Sequence, residues 1–461
     1  MDFKNQKCED FFHALQGKTV TFCGIARSHM PLIRLFREKG ALVSARDKRP
    51  LEELGENGQQ LLALGVPMHL GESYLQNLSE DVIFRTPGMK YTLPQLAAAR
   101  QRGQAVTSEL EVFFDLCPCK LYAVTGSDGK TTTTTLISEF LKAEGKTVHL
   151  GGNIGKPLLP EIETIAPTHC AVVELSSFQL ISMRQPPHVA VVTNLSPNHL
   201  DVHKDMQEYI DSKRNIYRHQ NAFSRTVLNA DNETTASFAA ETRGDTWLFS
   251  RQNQPPRGVW CSGETILVNS EAVLDIRDIK LPGWHNVENY MAAIAAVWGD
   301  VSPESIRQVA KNFGGVEHRA ELVRELGGVK YYNDSIASSP TRTISGTLSL
   351  YKEKILLICG GYDKHIPYAP LGPAICDKVK TLILLGATAP KIEEAVTAAP
   401  NYQPGAPRIL HAGTMEEAVS LAHREALPGD VVSLSPASAA FDLYPNFEVR
   451  GRHFKELVNA L

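Results

Sequence analysis

The chain has no long hydrophobic run. Its longest apolar stretches, such as Lys354–Cys359 (KILLIC), fall far short of the roughly 20 residues needed to cross a bilayer. Membrane insertion is therefore not expected. It also lacks an excess of one charge, with 47 Lys and Arg against 51 Asp and Glu, a net charge of −4. No bulk positive field exists to gather nucleic acid or an anionic membrane. Cysteine is sparse, at 8 in 461 residues. Cys117 and Cys119 form the only close pair, and that spacing is not a zinc spacing. Free thiols in a reducing cytoplasm are expected. The opening MDFKNQKCEDFF lacks a basic segment followed by an apolar one, so no secretory signal is read there. Apolar residues at 43% and charged residues at 21% are ordinary globular usage. Disordered, fibrous and disulfide-scaffold classes are thereby disfavoured.

A length of 461 residues, at about 150 per domain, gives about three domains. Short β-branched runs alternate with helical stretches throughout, which reads as α/β with parallel sheets. Three series are visible. The first holds Thr19–Cys23, Ala41–Ala45, Asp81–Phe84 and Ala105–Thr107. The second holds Leu121–Thr125, Thr147–Leu150, Ala171–Glu174 and Val189–Thr193. The third holds Val329–Tyr332, Ile355–Ile358, Thr381–Leu385 and Val431–Leu434. Domains are expected at 1–108, 109–315 and 316–461. The stretch from Gln252 to Ser270 reads as a turn-rich insertion or small β excursion.

Thr125 to Thr132 (TGSDGKTT) follows a strand and precedes a stretch with Leu136, Phe140 and Leu141 on one helical face. This is the strand–loop–helix setting of a phosphate loop. Gly126 and Gly129 let backbone N–H groups turn inward, and the helix N-terminus faces the same space. Ser127, Asp128 and Thr132 complete the cradle. Lys130 would reach the β- and γ-phosphates, and the Thr131 hydroxyl would ligate Mg²⁺. The full Walker pattern is not met, because Val124 stands where its first Gly belongs. A strand-to-helix turn with an incidental Lys is the plain alternative.

Further motifs follow in order. They are Gly152-Asn-Ile-Gly155, Glu174–Leu180 (ELSSFQL), Asn194–Asp201 (NLSPNHLD), Lys213, Pro282–Asn289 (PGWHNVEN), His318-Arg319 and Asn333-Asp334-Ser335. Read alone, Glu174 at a strand end suits a hard cation. Lys213 read alone is an ordinary surface lysine. Asn286 and Asn289, three apart, would share a helix face. The ordered series resembles the Mur ligase family, cytoplasmic ATP-dependent amide ligases that build the peptide stem of peptidoglycan. Within that family it looks most like the members that join D-glutamate to UDP-N-acetylmuramoyl-L-alanine.

The resemblance covers nearly the whole chain and implies an α/β fold of three domains. The first would be Rossmann-like and hold the UDP-substrate. The second would be a P-loop-type ATPase domain, and the third a Rossmann-like domain for the amino acid. It implies ATP and two Mg²⁺ ions, with Thr131, Glu174, His199 and Lys213 at the metals and Lys213 carbamylated. Lys130, Glu174, His199 and Lys213 would be the catalytic set. Asn286, Asn289, Arg319 and Asp334 would complete the ATP site, Asp334 holding the ribose. The UDP-substrate would meet the turn ending at Ser28, then Asp47, Arg49, Thr86, Gly88, Asn153 and His199. D-Glutamate would meet Lys364, Ser435, Ser438 and Phe447. A monomer is expected, with domain motion near Gly314-Gly315.

Three departures from the family pattern stand out. Ile336 replaces a lysine, Ala440 a carboxylate-binding serine, and Asp128 an asparagine. Ile336 and Ala440 put the amino-acid contacts in question. They also motivate two alternatives, a sibling ligase for another amino acid and a catalytically silent homologue. A folate-type ligase is disfavoured by the Asp47 segment, and an ordinary P-loop kinase or GTPase by the missing Walker glycine.

Overall fold

The computed structural model describes residues 4–25, 28–196 and 203–461. Three sheets carry the fold. The first contains β1 (Thr19–Cys23), β2 (Leu42–Asp47), β3 (Met68–Leu70), β4 (Val82–Arg85) and β5 (Ala105–Thr107). Its order is β3-β2-β1-β4-β5 and all its pairs are parallel. The chain reverses its direction of travel at β1, so the turn after β1 sits at the switch point where such sheets bind ligands.

The second sheet contains β6 (Lys120–Thr125), β7 (Val148–Gly152), β8 (Cys170–Glu174), β9 (Val189–Val192), β10 (Arg225–Asn229), β11 (Asp245–Ser250), β12 (Gly258–Ser262), β13 (Thr265–Val268) and β14 (Glu271–Asp275). Its order is β14-β13-β12-β11-β10-β9-β6-β8-β7. Here β6 lies between β8 and β9, which puts the phosphate-loop sequence at the second switch point. The expected β excursion is real and longer than expected. Strands β12–β14 extend the same sheet, with β12–β13 and β13–β14 antiparallel.

The third sheet contains β15 (Glu321–Leu326), β16 (Val329–Asn333), β17 (Ile355–Cys359), β18 (Val379–Leu384), β19 (Arg408–His411) and β20 (Val431–Leu434). Its order is β15-β16-β20-β17-β18-β19, parallel except for β15. Its central strands alternate between two apolar layers. Leu357 and Leu382 face one layer, while Leu356, Ile358 and Ile383 face the other. Burial on both faces is what makes such strands read as continuous apolar runs.

Sequence reading missed β3, β10, β11, β15 and β19. Three of these are edge or short strands whose residues are half-exposed, as in ELVREL of β15. A polar, solvated edge carries no apolar run to find. Contact density divides the chain into two compact units, residues 1–278 with 287–309, and residues 279–286 with 310–461. The first two sheets share the first unit, and one apolar core runs from Phe22, Phe36 and Phe84 through Phe113 to Val173 and Val192. Among the described residues, no helix is long and apolar enough to cross a membrane.

Candidate active site

The phosphate loop follows β6 and enters helix Lys130–Ala143. Two glycines are needed by geometry. Gly126 has φ 148°, and a Cβ there would come 1.9 Å from Thr193 Oγ1. Gly129 has φ 78°, and a Cβ there would come 2.2 Å from Asn289 Oδ1. Asn289 thus stands directly against the loop. The loop is pinned from β9 onward: Ser127 N–H donates to Asn194 O at 2.9 Å, and Asp128 N–H to Asn194 Oδ1 at 2.9 Å. Ser127 Oγ donates to Ser196 O at 3.0 Å and meets the Tyr209 hydroxyl at 2.9 Å. The Asp128 side chain is exposed and Thr132 half-buried. Lys130 Nζ donates to the Gly126 and Ser127 carbonyls at 3.0 and 2.8 Å, so its ammonium lies over the loop.

The threonine run is accommodated by back-bonding. Thr134 and Thr135 donate to the carbonyls of Lys130 and Thr131, both at 2.8 Å. Such i−4 bonds satisfy hydroxyls within a helix that β-branched residues otherwise disfavour.

Glu174 ends β8 and is only 1% exposed. Its Oε2 accepts from Thr131 Oγ1 at 2.7 Å and its Oε1 from Asn153 Nδ2 at 2.7 Å. Three expected residues are therefore joined in one chain of hydrogen bonds. Lys213 overturns its plain reading as a surface lysine. It lies on helix Met206–Arg218 at 2% exposure, with Nζ donating to Thr125 Oγ1 at 3.1 Å and Gly126 O at 2.8 Å. Burial, then the charge of Lys130, holds its pKa well below the usual lysine range, against the pull of Glu174.

His199 lies outside the described residues. His203, which sequence reading passed over, is buried beside the loop. Its Nε2 meets Ser177 Oγ at 2.8 Å and its ring stacks on Phe178 with centroids 5.2 Å apart. Among the described residues, no group of three or more His, Cys, Asp or Glu is gathered to hold a metal. The oxygen donors present are the Thr131 hydroxyl and the buried Glu174 carboxylate, which suit Mg²⁺. An ammonium at 213 cannot ligate, whereas a carbamate could.

In the first sheet, Ser28 opens helix His29–Glu38 and Asp47 ends β2. Asp47 accepts from Ile25 N–H at 2.6 Å and from Arg49 N–H, Nε and Nη2, each at 2.9 Å. Burial pushes its pKa up, but the bonds from Arg49 and Ile25 outweigh that and leave it lowered. Arg49 Nη2 also donates to Ile25 O at 2.6 Å, fixing the turn after β1. A Cβ on Gly24 would come 2.9 Å from Thr86, so the Thr86–Gly88 turn is packed against the β1 turn.

A cavity of about 310 Å³ brings Ser28 and Asn153 together. Its other polar lining includes Gln179 of the ELSSFQL segment, and Arg85, Glu109 and Lys156, which sequence reading missed. Arg85 ends β4 and is buried, with Nη2 donating to Phe178 O at 3.2 Å and Ser182 Oγ at 2.6 Å. The available signal was an Arg immediately before the Thr-Pro-Gly turn. Glu109 Oε1 accepts the N–H groups of Leu158 and Leu159, both at 2.8 Å. A larger open hollow of about 510 Å³ over Arg34, Leu35 and Gln60 contains none of the motif residues.

The second unit organises around Asp334, at the end of β16. Its Oδ2 accepts from Thr347 Oγ1 at 2.6 Å and Ser435 Oγ at 3.1 Å, and its Oδ1 from Ala320 N–H at 3.2 Å. Burial raises its pKa to about 6 despite those bonds and the charge of Arg319. His318 and Ala320 have φ of 64° and 42°, so the turn presenting Arg319 is strained. Arg319 Nε is buried without a hydrogen-bond partner among the described residues. Asn286 Nδ2 donates to Pro282 O at 2.7 Å, holding the entry of its helix.

The expected amino-acid residues divide. Lys364 is exposed and Phe447 half-buried, its ring edge-on to His318. Ser435 and Ser438 are buried and hydrogen-bonded internally. Ser435 meets Thr343 at 3.0 Å, while Ser438 meets Tyr368 and Thr388 at 2.8 Å each. Arg450, unremarked in the sequence, ties this loop down. It donates to Ser335 O, Ser438 O and Ala439 O at 2.9, 3.1 and 2.9 Å.

Fold and loop together define an α/β protein of the phosphate-loop class, with a buried threonine–carboxylate–amide chain beside the loop. Two family models match: the Mur ligase middle domain at residues 124–297, and the Mur ligase glutamate ligase domain at residues 318–438. The chain is 52% identical to a UDP-N-acetylmuramoylalanine–D-glutamate ligase of Acetivibrio thermocellus, over 99% of each chain. It is 50% identical to the protein of the same name in Ruminiclostridium cellulolyticum, over 99% of this chain and 100% of that one. Among solved structures, a UDP-N-acetylmuramate–alanine ligase of Thermotoga maritima matches with a TM-score of 0.57 at 18% identity. That match covers 96% of this chain and 99% of the other, and it establishes the three-domain α/β fold. The chain belongs to the Mur ligase family, and is an ATP-dependent ligase that forms amide bonds.

Proposed function

We propose that this enzyme joins D-glutamate to UDP-N-acetylmuramoyl-L-alanine in cytoplasmic peptidoglycan precursor synthesis, acting as a monomer. Full-length identity near one half to ligases of that name supports the substrate pair. The observation that carries the site reading is the cluster of Lys130, Thr131, Glu174 and Lys213 gathered around one loop, joined through Asn153 to the cavity holding Ser28. Residues 1–108 would bind the UDP-substrate, 109–315 ATP, and 316–461 the amino acid.

The carboxylate of the nucleotide substrate attacks the γ-phosphorus, and the bond to the bridging oxygen of ADP breaks. Loop N–H groups and Lys130 hold the phosphoryl oxygens as their charge redistributes. Asn289 backs the loop, and Asp334 and Arg319 serve the nucleoside end with Asn286. The amine of D-glutamate then attacks the acyl carbon and loses a proton, and phosphate departs. Asp47, Arg49, Thr86 and Gly88 shape the uridine end, with Asn153 and His199 at the reacting end. Lys364 and Phe447 receive D-glutamate, with the Ser435–Ser438 loop as their support.

Two Mg²⁺ ions, held by Thr131, Glu174, His199 and a carbamylated Lys213, would supply charge stabilisation to the transferring phosphoryl group. The depressed pKa of Lys213 supports the modification, because a neutral amine is what adds to CO₂. Purified protein should release ADP only when both the nucleotide substrate and D-glutamate are present. Turnover with another amino acid and none with D-glutamate would overturn the specificity. A carbamate carbon signal in ¹³C NMR, lost in Lys213→Met, tests the modification.

A further inference from the structure

The Cys117–Cys119 turn takes no part in the phosphate loop, the cavity or the Asp334 network. It joins helix Glu109–Leu116 to β6, two elements that reach those sites at their other ends. Its two sulfurs converge, with Sγ to Sγ only 3.5 Å. A disulfide needs about 2.05 Å, so side-chain rotation has little distance to close. The two thiols differ in environment: Cys119 is buried and Cys117 is half-buried.

That asymmetry assigns roles. The two sulfurs share a hydrogen bond in which either can donate, and a proton held on Cys119 favours the Cys117 thiolate and lowers its pKa. The same bond, with burial, pushes the Cys119 thiol up. The less buried residue, Cys117, is therefore the one a reagent meets first, and Cys119 is placed to attack second. Other thiols are poorer candidates. Cys170 opens β8 beside Lys120 and is buried, with its pKa raised by burial. Cys261 is half-buried, its thiol donates to Gly263 O at 3.4 Å, and burial raises its pKa.

We propose that Cys117 and Cys119 form a dithiol site that exchanges with small disulfides and closes to an intramolecular disulfide. The Cys117 thiolate attacks one sulfur of a low-molecular-weight disulfide, RSSR, and RS⁻ leaves with the bonding pair. The Cys119 thiol gives up its proton, its sulfur attacks Cys117 Sγ, and a second RS⁻ leaves. Two cysteine thiols are oxidised and one RSSR is reduced to two RSH. The site is independent of the substrate assignment above.

The test treats the full chain with oxidised glutathione, alkylates the remaining thiols, and maps the products by mass spectrometry. The expected first product lacks two free thiols, carries no glutathione, has its bridge between Cys117 and Cys119, and reverts with dithiothreitol. Cys119→Ser should instead keep one glutathione on Cys117. Glutathione on Cys261 as the first product, or a Cys119–Cys170 bridge, would overturn the proposal. The unsubstituted chain suffices for both, so a misfolded variant does not blunt the test.

Discussion

The phosphate loop and the Ser435–Asp442 loop both follow a central strand and lead to a helix, yet they spend their polar groups differently. In the first, hydroxyl, amide and carboxylate groups from several strands converge on one short turn. Thr131 and Asn153 both donate to Glu174, and Lys130 and Lys213 bring two amine nitrogens to the same Gly126 carbonyl. In the second, Ser435 and Ser438 turn inward, to Asp334, Thr343, Tyr368 and Thr388, while Arg450 fastens the backbone. On the proposed function, the first loop would offer its chemistry directly. The second would be scaffolding that leaves Lys364 and Phe447 to meet the amino acid.

The contrast is tested hardest at Lys130. Lys130→Ala should lower turnover by about 10³-fold or more, since it removes a cation from a transferring phosphoryl group. The far-UV spectrum and melting temperature should stay near those of the unsubstituted chain. Retained turnover would refute the idea that this loop acts directly.

Lys213 separates chemistry from stability. Its buried amine has a depressed pKa, so the unfolded chain binds the extra proton between the folded and ordinary lysine values. Stability therefore rises with pH across that window, and the burial costs most below it. In bicarbonate-free buffer, Lys213→Met should abolish ligation yet raise the melting temperature by roughly 2–4 °C near neutral pH, for about 1 kcal/mol. The gain should shrink as pH approaches 10. A lower melting temperature would mean that its bonds to Thr125 and Gly126 outweigh desolvation.

Asp334 probes the second region through pH. Its folded pKa of about 6 lies above the ordinary aspartate value of 3.8. Between these values the folded state holds more protons, so stability falls as pH rises, by at most about 3 kcal/mol. Asp334→Asn should flatten the urea-midpoint profile between pH 4 and 6. An unchanged slope would assign that dependence to other groups.

Legibility in the sequence follows the same divide. The phosphate loop, β6, β8 and Glu174 were readable because an apolar run, two glycines and a Lys lie within a few residues. Most strands in the centres of the sheets were readable for the same reason. The half-exposed edges β3, β15 and β19 carry no such pattern. Lys213 read alone pointed to the surface, because nothing local reveals that its helix packs against the loop; only the family resemblance placed it. Arg85, Glu109 and Arg450 act on partners about 50 to 115 residues away, so spacing could not reveal them. Ser435 and Ser438 were found as residues, but which way their hydroxyls face is a tertiary property.

The smallest expected effect lies at Ala440, and it addresses that last point. Ala440 is buried in the loop, and its carbonyl accepts the Leu443 and Tyr444 N–H groups at 3.1 and 2.9 Å. If the nearby serine hydroxyls are committed to the scaffold, a D-glutamate carboxylate meets one hydroxyl donor fewer here than in the family pattern. Ala440→Ser would add one. A hydroxyl donor to a charged group is worth about 1.5 kcal/mol or more, but burying the added oxygen offsets part of it. KM for D-glutamate should therefore fall roughly three- to tenfold, with kcat and the KM for ATP unchanged. A KM that stays level or rises would mean that backbone N–H groups or Lys364 already satisfy the carboxylate, and that the inward-turned serines leave no deficit to fill.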